Sequence, residues 1–333
     1  MRVLVTGAFG NVGRSTLAAL AKLGDEVTVL EAENAVTRKL APLLMRKLGF
    51  GRRPAYSSII WGDLRDPLTA ARAVPGNEAI IHLAALIPPR ADKDPLLARA
   101  INVGGTGNLI AAARNARGQP PRLVLASSIS AYGDRVRDFW IRSTDALRPS
   151  PGDAYGQSKV EAEALVRESG LPFSILRLTY IVWRKKLDQD PLLFHMPLDT
   201  KIEICHTLDT GKAFAEAAHC EAALGRTLDI GGGESCRTDY RSYLRRMLSL
   251  FGLGGAGLPD HAFATSGFHC GWYADSDEAE TLLRFRTRSL EDYYGEVAEE
   301  ARWRRLGAAF ARPLILARLL ASSPFLAKSG EPA

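Results

Sequence analysis

The sequence predicts an α/β fold: a Rossmann-type doubly wound parallel sheet with a smaller C-terminal substrate-capping region. Three observations lead there. Short apolar, β-branched runs alternate with helical patterns over roughly the first 180 residues, and such alternation builds a parallel sheet with helices on both faces. A Gly-rich turn, Thr6-Gly7-Ala8-Phe9-Gly10-Asn11-Val12-Gly13, follows the first run. A Tyr155-Gly156-Gln157-Ser158-Lys159 segment sits near the middle of the chain.

Residues 2–6 (Arg-Val-Leu-Val-Thr) read as a buried strand, Arg14 to Leu23 as a helix and Val27 to Leu30 as a second strand. This is the strand–turn–helix–strand setting that a dinucleotide fingerprint needs. Its glycines make the tight turn, let backbone approach a pyrophosphate and let helix and strand pack closely. The helix N-terminus offers free N–H groups to the phosphates. Glu31 closes the second strand, where a carboxylate accepts from a ribose 2′-OH and repels a 2′-phosphate. NAD is therefore expected over NADP, although Arg14 and Arg38 stand near enough to serve a phosphate.

Further strands are expected at 57–61, 79–83, 122–127 and 173–178. The strand at 122–127 runs into Ser127-Ser128-Ile129-Ser130-Ala131-Tyr132-Gly133, which places hydroxyls at the ligand-binding end of a doubly wound sheet. Gln157 to Glu168 reads as a helix, ended by Gly170 and Pro172, so Tyr155 and Lys159 share one face. A nearby ammonium favours the phenolate of a tyrosine, and Tyr155 then serves as acid or base toward a secondary alcohol or ketone. An ordinary surface Tyr–Lys pair is the plain alternative. His82, alone in an apolar strand, reads as a satisfied core histidine and not a catalyst.

With these motifs in place, the chain resembles the extended short-chain dehydrogenase/reductase family, the NAD-dependent epimerase/dehydratase group, over about residues 1–300. Four more segments carry the resemblance: Trp61-Gly62-Asp63-Leu64, Ile80-Ile81-His82-Leu83-Ala84-Ala85, Asn102-Val103-Gly104-Gly105-Thr106 and His206-Thr207-Leu208-Asp209. It implies Ser128, Tyr155 and Lys159 as catalytic residues, with Ser127 and Ser130 as fallbacks for Ser128. It implies cofactor contacts at Gly7, Gly10, Asn11, Val12, Gly13, Glu31, Asp63, Leu64, Leu83, Ala84, Ala85, Asn102, Tyr155 and Lys159. A homodimer through the Tyr155 helix is also implied.

Departures narrow the chemistry. Family dehydratases resemble Thr-Asp-Glu where this chain has Ser128-Ile129-Ser130, so no carboxylate stands ready to protonate a leaving hydroxyl. That argues against 4,6-dehydration and against the related decarboxylases. Nucleotide-sugar epimerases carry an Arg four before the motif histidine, and this chain has Ile202 there. Their later Arg-x-Gly-Asp turn is absent, so Arg237 or Arg241 would have to hold a diphosphate. The segment after Leu176-Arg177 lacks the usual Pro and Gly. The expectation is hydride transfer at a secondary alcohol or ketone of a sugar-like or polyol substrate, by an epimerase or a dehydrogenase. The alternatives are an NAD(P)-dependent ketoreductase of a non-sugar substrate and a nucleotide-sensing protein without turnover.

Domain boundaries follow. Residues 1–181 form the dinucleotide-binding domain, and 201–232 return to it through a strand ending at His206, a helix over 210–223 and a last strand from Thr227 to Ile230. Residues 182–200 and 233–300 form the substrate region, with Trp183, His195, Trp272 and Tyr273 as candidates to face substrate, and Gly231-Gly232-Gly233 as the crossover.

The composition is ordinary for a globular chain of 333 residues, 46% apolar and 24% charged. Four scattered cysteines suggest neither a metal site nor a disulfide framework. The net charge of +6 comes from residues 302–328, which carry Arg302, Arg304, Arg305, Arg312, Arg318 and Lys328 and no acid. The balanced remainder gives no reason to expect nucleic acid. The tail, 301–333, is also apolar and is broken by Pro313; it packs on the body or a second subunit, lies on an anionic membrane, or is disordered. A first strand at residue 2 leaves no room for a signal peptide, and no apolar run is long enough to span a bilayer, so a cytoplasmic address is expected.

Overall fold

The computed structural model of the chain describes residues 1–49, 57–186, 192–254 and 258–326. Residues 187–191 of the expected capping region and 327–333 of the tail, Lys328 among them, lie outside the described residues.

In chain order the strands are β1 (Arg2–Thr6), β2 (Glu26–Glu31), β3 (Ser57–Trp61), β4 (Ala79–His82), β5 (Arg122–Ser128), β6 (Trp140–Ile141), β7 (Phe173–Leu178), β8 (Tyr180–Val182), β9 (Lys201–His206), β10 (Arg226–Ile230), β11 (Arg237–Asp239) and β12 (Trp272–Tyr273). Seven of them form one sheet in the order β10-β7-β5-β4-β1-β2-β3. Every pairing in it is parallel. Strand alternation sorts the apolar side chains into two cores. Val3, Val5, Val27, Val29 and Ile81 face the helices Asn11–Leu23, Ala35–Lys47 and Thr207–His219. Leu4, Leu30, Ile80, Leu123 and Leu125 face Pro67–Ala73, Gly105–Arg114 and Ala154–Arg167. The sheet is therefore Rossmann-type and doubly wound, as the strand pattern predicts. The order reverses between β1 and β4, and the crevice beyond their carboxyl ends is where such sheets bind ligands.

Two differences from the sequence reading concern the second half. β10 is the edge of the main sheet, but β9 is not in that sheet: it pairs in parallel with β8 and antiparallel with β11. Gly231 and Gly232 sit hard against it, where added Cβ atoms would lie 2.1 Å from Glu203 Oε1 and 2.4 Å from the Ile204 carbonyl oxygen. The helix expected at 210–223 runs from Thr207 to His219. β6 and β12 form a separate parallel pair. A further core gathers Phe194, Met196, Tyr240, Tyr243, Phe251, Phe263, Tyr293 and Val297. Ile315, Leu316, Leu319 and Leu320 of the tail pack onto it. Among the described residues no helix is long and apolar enough to cross a membrane, and no His, Cys, Asp or Glu cluster could hold a metal ion.

Candidate active site

The turn after β1 meets the turn after β4. Gly7 has φ +68°, and a Cβ on it would lie 2.7 Å from the amide nitrogen of Ala84. Gly13 is closer still, since its Cβ would fall 2.3 Å from the Gly7 carbonyl oxygen. Only glycine fits either place, and the contact brings Leu83 and Ala84 up to the Gly-rich turn, with Ala85 next in the chain. Leu83 N–H donates to the Thr6 carbonyl (3.2 Å) and Ala84 N–H to Thr6 Oγ1 (3.2 Å). Gly10 begins the helix Asn11–Leu23 with no side chain capping its first N–H groups, so they are left for an anion. Asn11 and Val12 supply that first turn, their carbonyls accepting from Ser15 and Thr207 and from Thr16. This is a backbone cradle shaped for a pyrophosphate.

Glu31 closes β2 at the edge of the cradle, accepting from Phe9 N–H at 3.0 Å. Burial raises its pKa above the ordinary carboxylate value. Arg38, a possible phosphate partner, is engaged by Glu33 (2.7 Å) and lies over the Trp61 ring at 4.7 Å. Arg14 turns back to the Gly10 carbonyl at 3.3 Å. Asp63 is half-exposed and grips Arg65 at 2.9 Å (Nε), which holds its carboxyl below the usual range. Leu64 is buried, its carbonyl accepting from Asn108 at 2.7 Å.

The structure brings the three catalytic candidates together. Ser130 donates to Ser128 Oγ from both its N–H (3.2 Å) and its hydroxyl (3.0 Å), and the Ser128 hydroxyl stands near enough to Tyr155 to favour its phenolate. Ser130, the fallback, is thus the support of Ser128. Ser127, the other, points away and donates to Glu163. Lys159 is buried, donates from Nζ to the Ala126 carbonyl (2.8 Å) and stands 5.5 Å from the Tyr155 ring centre. The helix begins at Ala154, capped by Asp153, which accepts from Gly156 N–H at 2.7 Å.

The electrostatics differ from the expected phenolate. Burial pushes the Tyr155 phenol up to about 12, the nearby Ser128 hydroxyl opposes the rise, and Asp153 adds to it. Burial also lowers Lys159 to about 8, with Glu163 opposing. Without a bound cation Tyr155 keeps its proton at neutral pH.

Asn102 lies in a π-helical turn, Ala100–Gly104, and donates to Ser158 Oγ (2.9 Å) and the Leu86 carbonyl (3.0 Å). Ser158 then donates to the Tyr155 carbonyl at 2.7 Å. Asn102 thereby ties the loop after β4 to the helix that carries Tyr155. His82 is buried between Thr6 (2.7 Å) and Thr106 (3.0 Å), and burial lowers it to about 3, so it is a neutral core histidine.

Sequence reasoning missed a buried polar chain beneath the site. Glu163 takes Ser127 and, through two oxygens, Arg177 (2.9 and 2.7 Å). Arg177 donates to Tyr132 Oη (2.6 Å), which donates to Asp229 (2.9 Å). The signal available was spacing: Glu163 is one turn beyond Lys159 on the same face. Of the aromatics expected to face substrate, Tyr273 does not, being fully buried with its hydroxyl on the Arg177 carbonyl (3.2 Å). Trp272 donates inward to the Ile202 carbonyl at 3.2 Å, while Trp183 is half-buried and His195 exposed. Both candidate diphosphate arginines are committed: Arg237 to Glu203 (3.0 Å), and Arg241 to Asp260 (2.8 Å).

Comparison with known proteins agrees with this geometry. A 4-hydroxy-2-methyl-3-oxo-4-farnesyl-3,4-dihydroquinoline-1-oxide ketoreductase from Stigmatella aurantiaca is 33% identical over 172 residues, 52% of this chain and 47% of that protein. An L-arabinose 1-dehydrogenase (NAD(P)(+)) from Haloferax volcanii is 31% identical over 207 residues, 57% of this chain and 72% of that protein. The chain spans about half the length of several curated relatives it matches. A short-chain dehydrogenase/reductase superfamily protein from Agrobacterium tumefaciens, solved with bound NAD, superposes with a TM-score of 0.70 at 23% identity, covering 94% of this chain and 100% of that one. The pattern of the NAD dependent epimerase/dehydratase family matches residues 3–183, and the chain belongs to that family.

Proposed function

We propose that the protein is an NAD-dependent oxidoreductase acting at a secondary alcohol or ketone of a sugar-like or polyol substrate. The observation that carries this reading is Lys159 Nζ 5.5 Å from the centre of the Tyr155 ring, with Ser128 beside that tyrosine and a pyrophosphate-shaped cradle at the neighbouring strand ends. NAD fits the residues present, with Gly7 to Gly13 at the pyrophosphate and Glu31 at the adenosine ribose, and when bound it supplies hydride acceptance or donation. Ser128 holds the substrate oxygen. Tyr155, which holds its proton in this state, gives it to a carbonyl oxygen in reduction and takes it back from the hydroxyl in oxidation. Lys159 places a positive charge beside the phenol and favours its phenolate once the site is dry.

One observation favours a substrate without a nucleotide diphosphate: Arg237 and Arg241 already have carboxylate partners. A non-sugar ketone is the second reading, and the ketoreductase among the relatives is in keeping with it. Residues 182–200 and 233–300 form the cap over the substrate in this reading, and two copies pair through the Tyr155 helix. The test is turnover of a panel of secondary alcohols with NAD and ketones with NADH, beside a Tyr155→Phe control. Turnover that needs Tyr155 supports the reading. Tight NAD binding with no turnover on any substrate would favour a nucleotide sensor.

A further inference from the structure

We propose that Glu163 is a positioning residue for Lys159: its buried carboxylate is the counter-charge that keeps the Lys159 ammonium charged inside the protein. What this does for turnover rests on the role given to Lys159 above, and the test below separates the two. Lys159 is 4% exposed and donates from Nζ to the Ala126 carbonyl at 2.8 Å, a neutral partner that cannot balance a charge. A lysine buried without an opposite charge loses its proton at about pH 5 to 6. Glu163 is fully buried and four residues on, so the helix Ala154–Arg167 sets both side chains on one face. The neighbouring strand brings them together again. Lys159 grips the Ala126 carbonyl of β5, and Glu163 accepts from the hydroxyl of the next residue, Ser127. The Glu163 charge favours the ammonium against the loss that burial brings.

Glu163 is itself held charged. Arg177 of β7 donates to both of its oxygens (2.9 and 2.7 Å), and Arg167 donates to Oε2 (2.7 Å). Burial pushes its carboxyl up, but Arg177, Ser127 and Arg167 together bring it below the ordinary value. The other ionisable groups packed around this helix do not supply the charge. Tyr155 keeps its proton, and His82 of β4 is neutral, lowered to about 3 by burial and by Lys159. Glu161 is bound to Arg99 (2.8 Å), and Asp92 of the helix Arg90–Lys93 acts on the cap Asp153, which acts on Tyr155. Arg114 of the helix Gly105–Arg114 turns to the Ser169 carbonyl (2.7 Å). A proton lost from Lys159 would remove the charge that favours the Tyr155 phenolate.

The test is a pH titration by nuclear magnetic resonance of the full chain, isotope-labelled at the lysine Cε carbons. The Lys159 signal is the one missing from Lys159→Arg. Its midpoint is expected at about 8 in the wild type. In Glu163→Gln it should fall by at least about one pH unit, the usual size of losing a close opposite charge. Glu163→Asp keeps the charge, and its midpoint should stay near that of the wild type. A buried arginine left without its partner destabilises a fold, so a double variant, Glu163→Gln with Arg177→Met, removes both charges and should show the same fall. A wild-type midpoint at about 5 to 6 would overturn the proposal without any variant, since Lys159 would then have no effective counter-charge. An unmoved midpoint in the variants that lack the carboxylate, or an equal fall in Glu163→Asp, would overturn it as well. The alkaline fall of kcat/KM should move down with the midpoint. A midpoint that moves while that fall stays in place would support the link from Glu163 to Lys159 and count against the part given to Lys159 in the reaction.

Discussion

Lys159 lies one helical turn from Tyr155, yet its ammonium is aimed at the Ala126 carbonyl, 2.8 Å away, and stands 5.5 Å from the centre of the Tyr155 ring. The pair is thus assembled with its proton still on tyrosine. Burial raises Tyr155 to about 12 and lowers Lys159 to about 8, so each group leans toward its neutral form.

Tyr155→Phe removes the proton that the reaction moves and leaves the cradle untouched. Turnover is expected to fall by roughly two to four orders of magnitude, the usual size of a general acid–base contribution, with NAD affinity nearly unchanged. Steady-state rates and a binding titration on the same preparation check this. Wild-type turnover in the variant would remove Tyr155 from the mechanism.

Lys159 gives a pH signature. Its ammonium loses a proton as pH rises through about 8, so kcat/KM, which reports the free enzyme, is expected to fall on that alkaline side. In Lys159→Arg the guanidinium keeps its charge, and the alkaline fall should vanish even where the rate is lower. The same fall in both proteins would assign it to another group.

His82 should make the fold acid-sensitive. Its folded pKa is depressed from 6.5 to about 3, so the unfolded chain takes up a proton in that window and the folded chain does not. Stability is therefore present above pH 6.5 and lost as pH falls toward 3, by up to about 1.4 kcal/mol per pH unit from this group. Denaturant midpoints of wild type and His82→Gln, followed downward from neutral pH, should converge. Parallel curves would contradict the assignment.

Asp229 should act in the opposite direction. Its Oδ2 and the Oδ1 of Asp275 are buried without a hydrogen-bond partner, and burial beside Asp275 raises Asp229 well above the usual value. Asp229 therefore keeps its proton to a higher pH in the folded chain than in the unfolded one, and its contribution is full below the unfolded value near 3.8 and declines as pH rises. Asp229→Asn mimics the protonated form. Its melting temperature should gain on the wild type as pH rises above the ordinary carboxylate value near 3.8. A wild type that gains on the variant as pH rises would contradict the raised Asp229.

Much of this was legible in the sequence because it is local. Each main-sheet strand announced itself by a β-branched apolar run, and the Gly-rich turn by glycines whose places the structure shows to be too tight for a Cβ. What escaped depends on distant partners. β9 has the apolar pattern of a main-sheet strand, but its place was decided by pairing with β8 and β11. Tyr273 looked like a substrate-facing aromatic, and only the three-dimensional path puts its hydroxyl on Arg177. The helix start was misjudged by passing over Asp153, a good N-cap three residues before Gly156. The buried chain from Ser127 to Asp229 links residues far apart in sequence, and spacing pointed only to Glu163, one turn beyond Lys159.

The central claim is that the cradle from Gly7 to Gly13, with Glu31 at its edge, holds NAD beside Tyr155. The most direct measurement is to purify the protein without added nucleotide, identify by mass whatever it releases on denaturation, and titrate the emptied protein with NAD and NADP. The account expects NAD to be the released or the tighter-binding dinucleotide, because a carboxylate at Glu31 suits a ribose hydroxyl and repels a 2′-phosphate, and Arg38 is held by Glu33. Recovery of NADP, or failure to bind either dinucleotide, would contradict it.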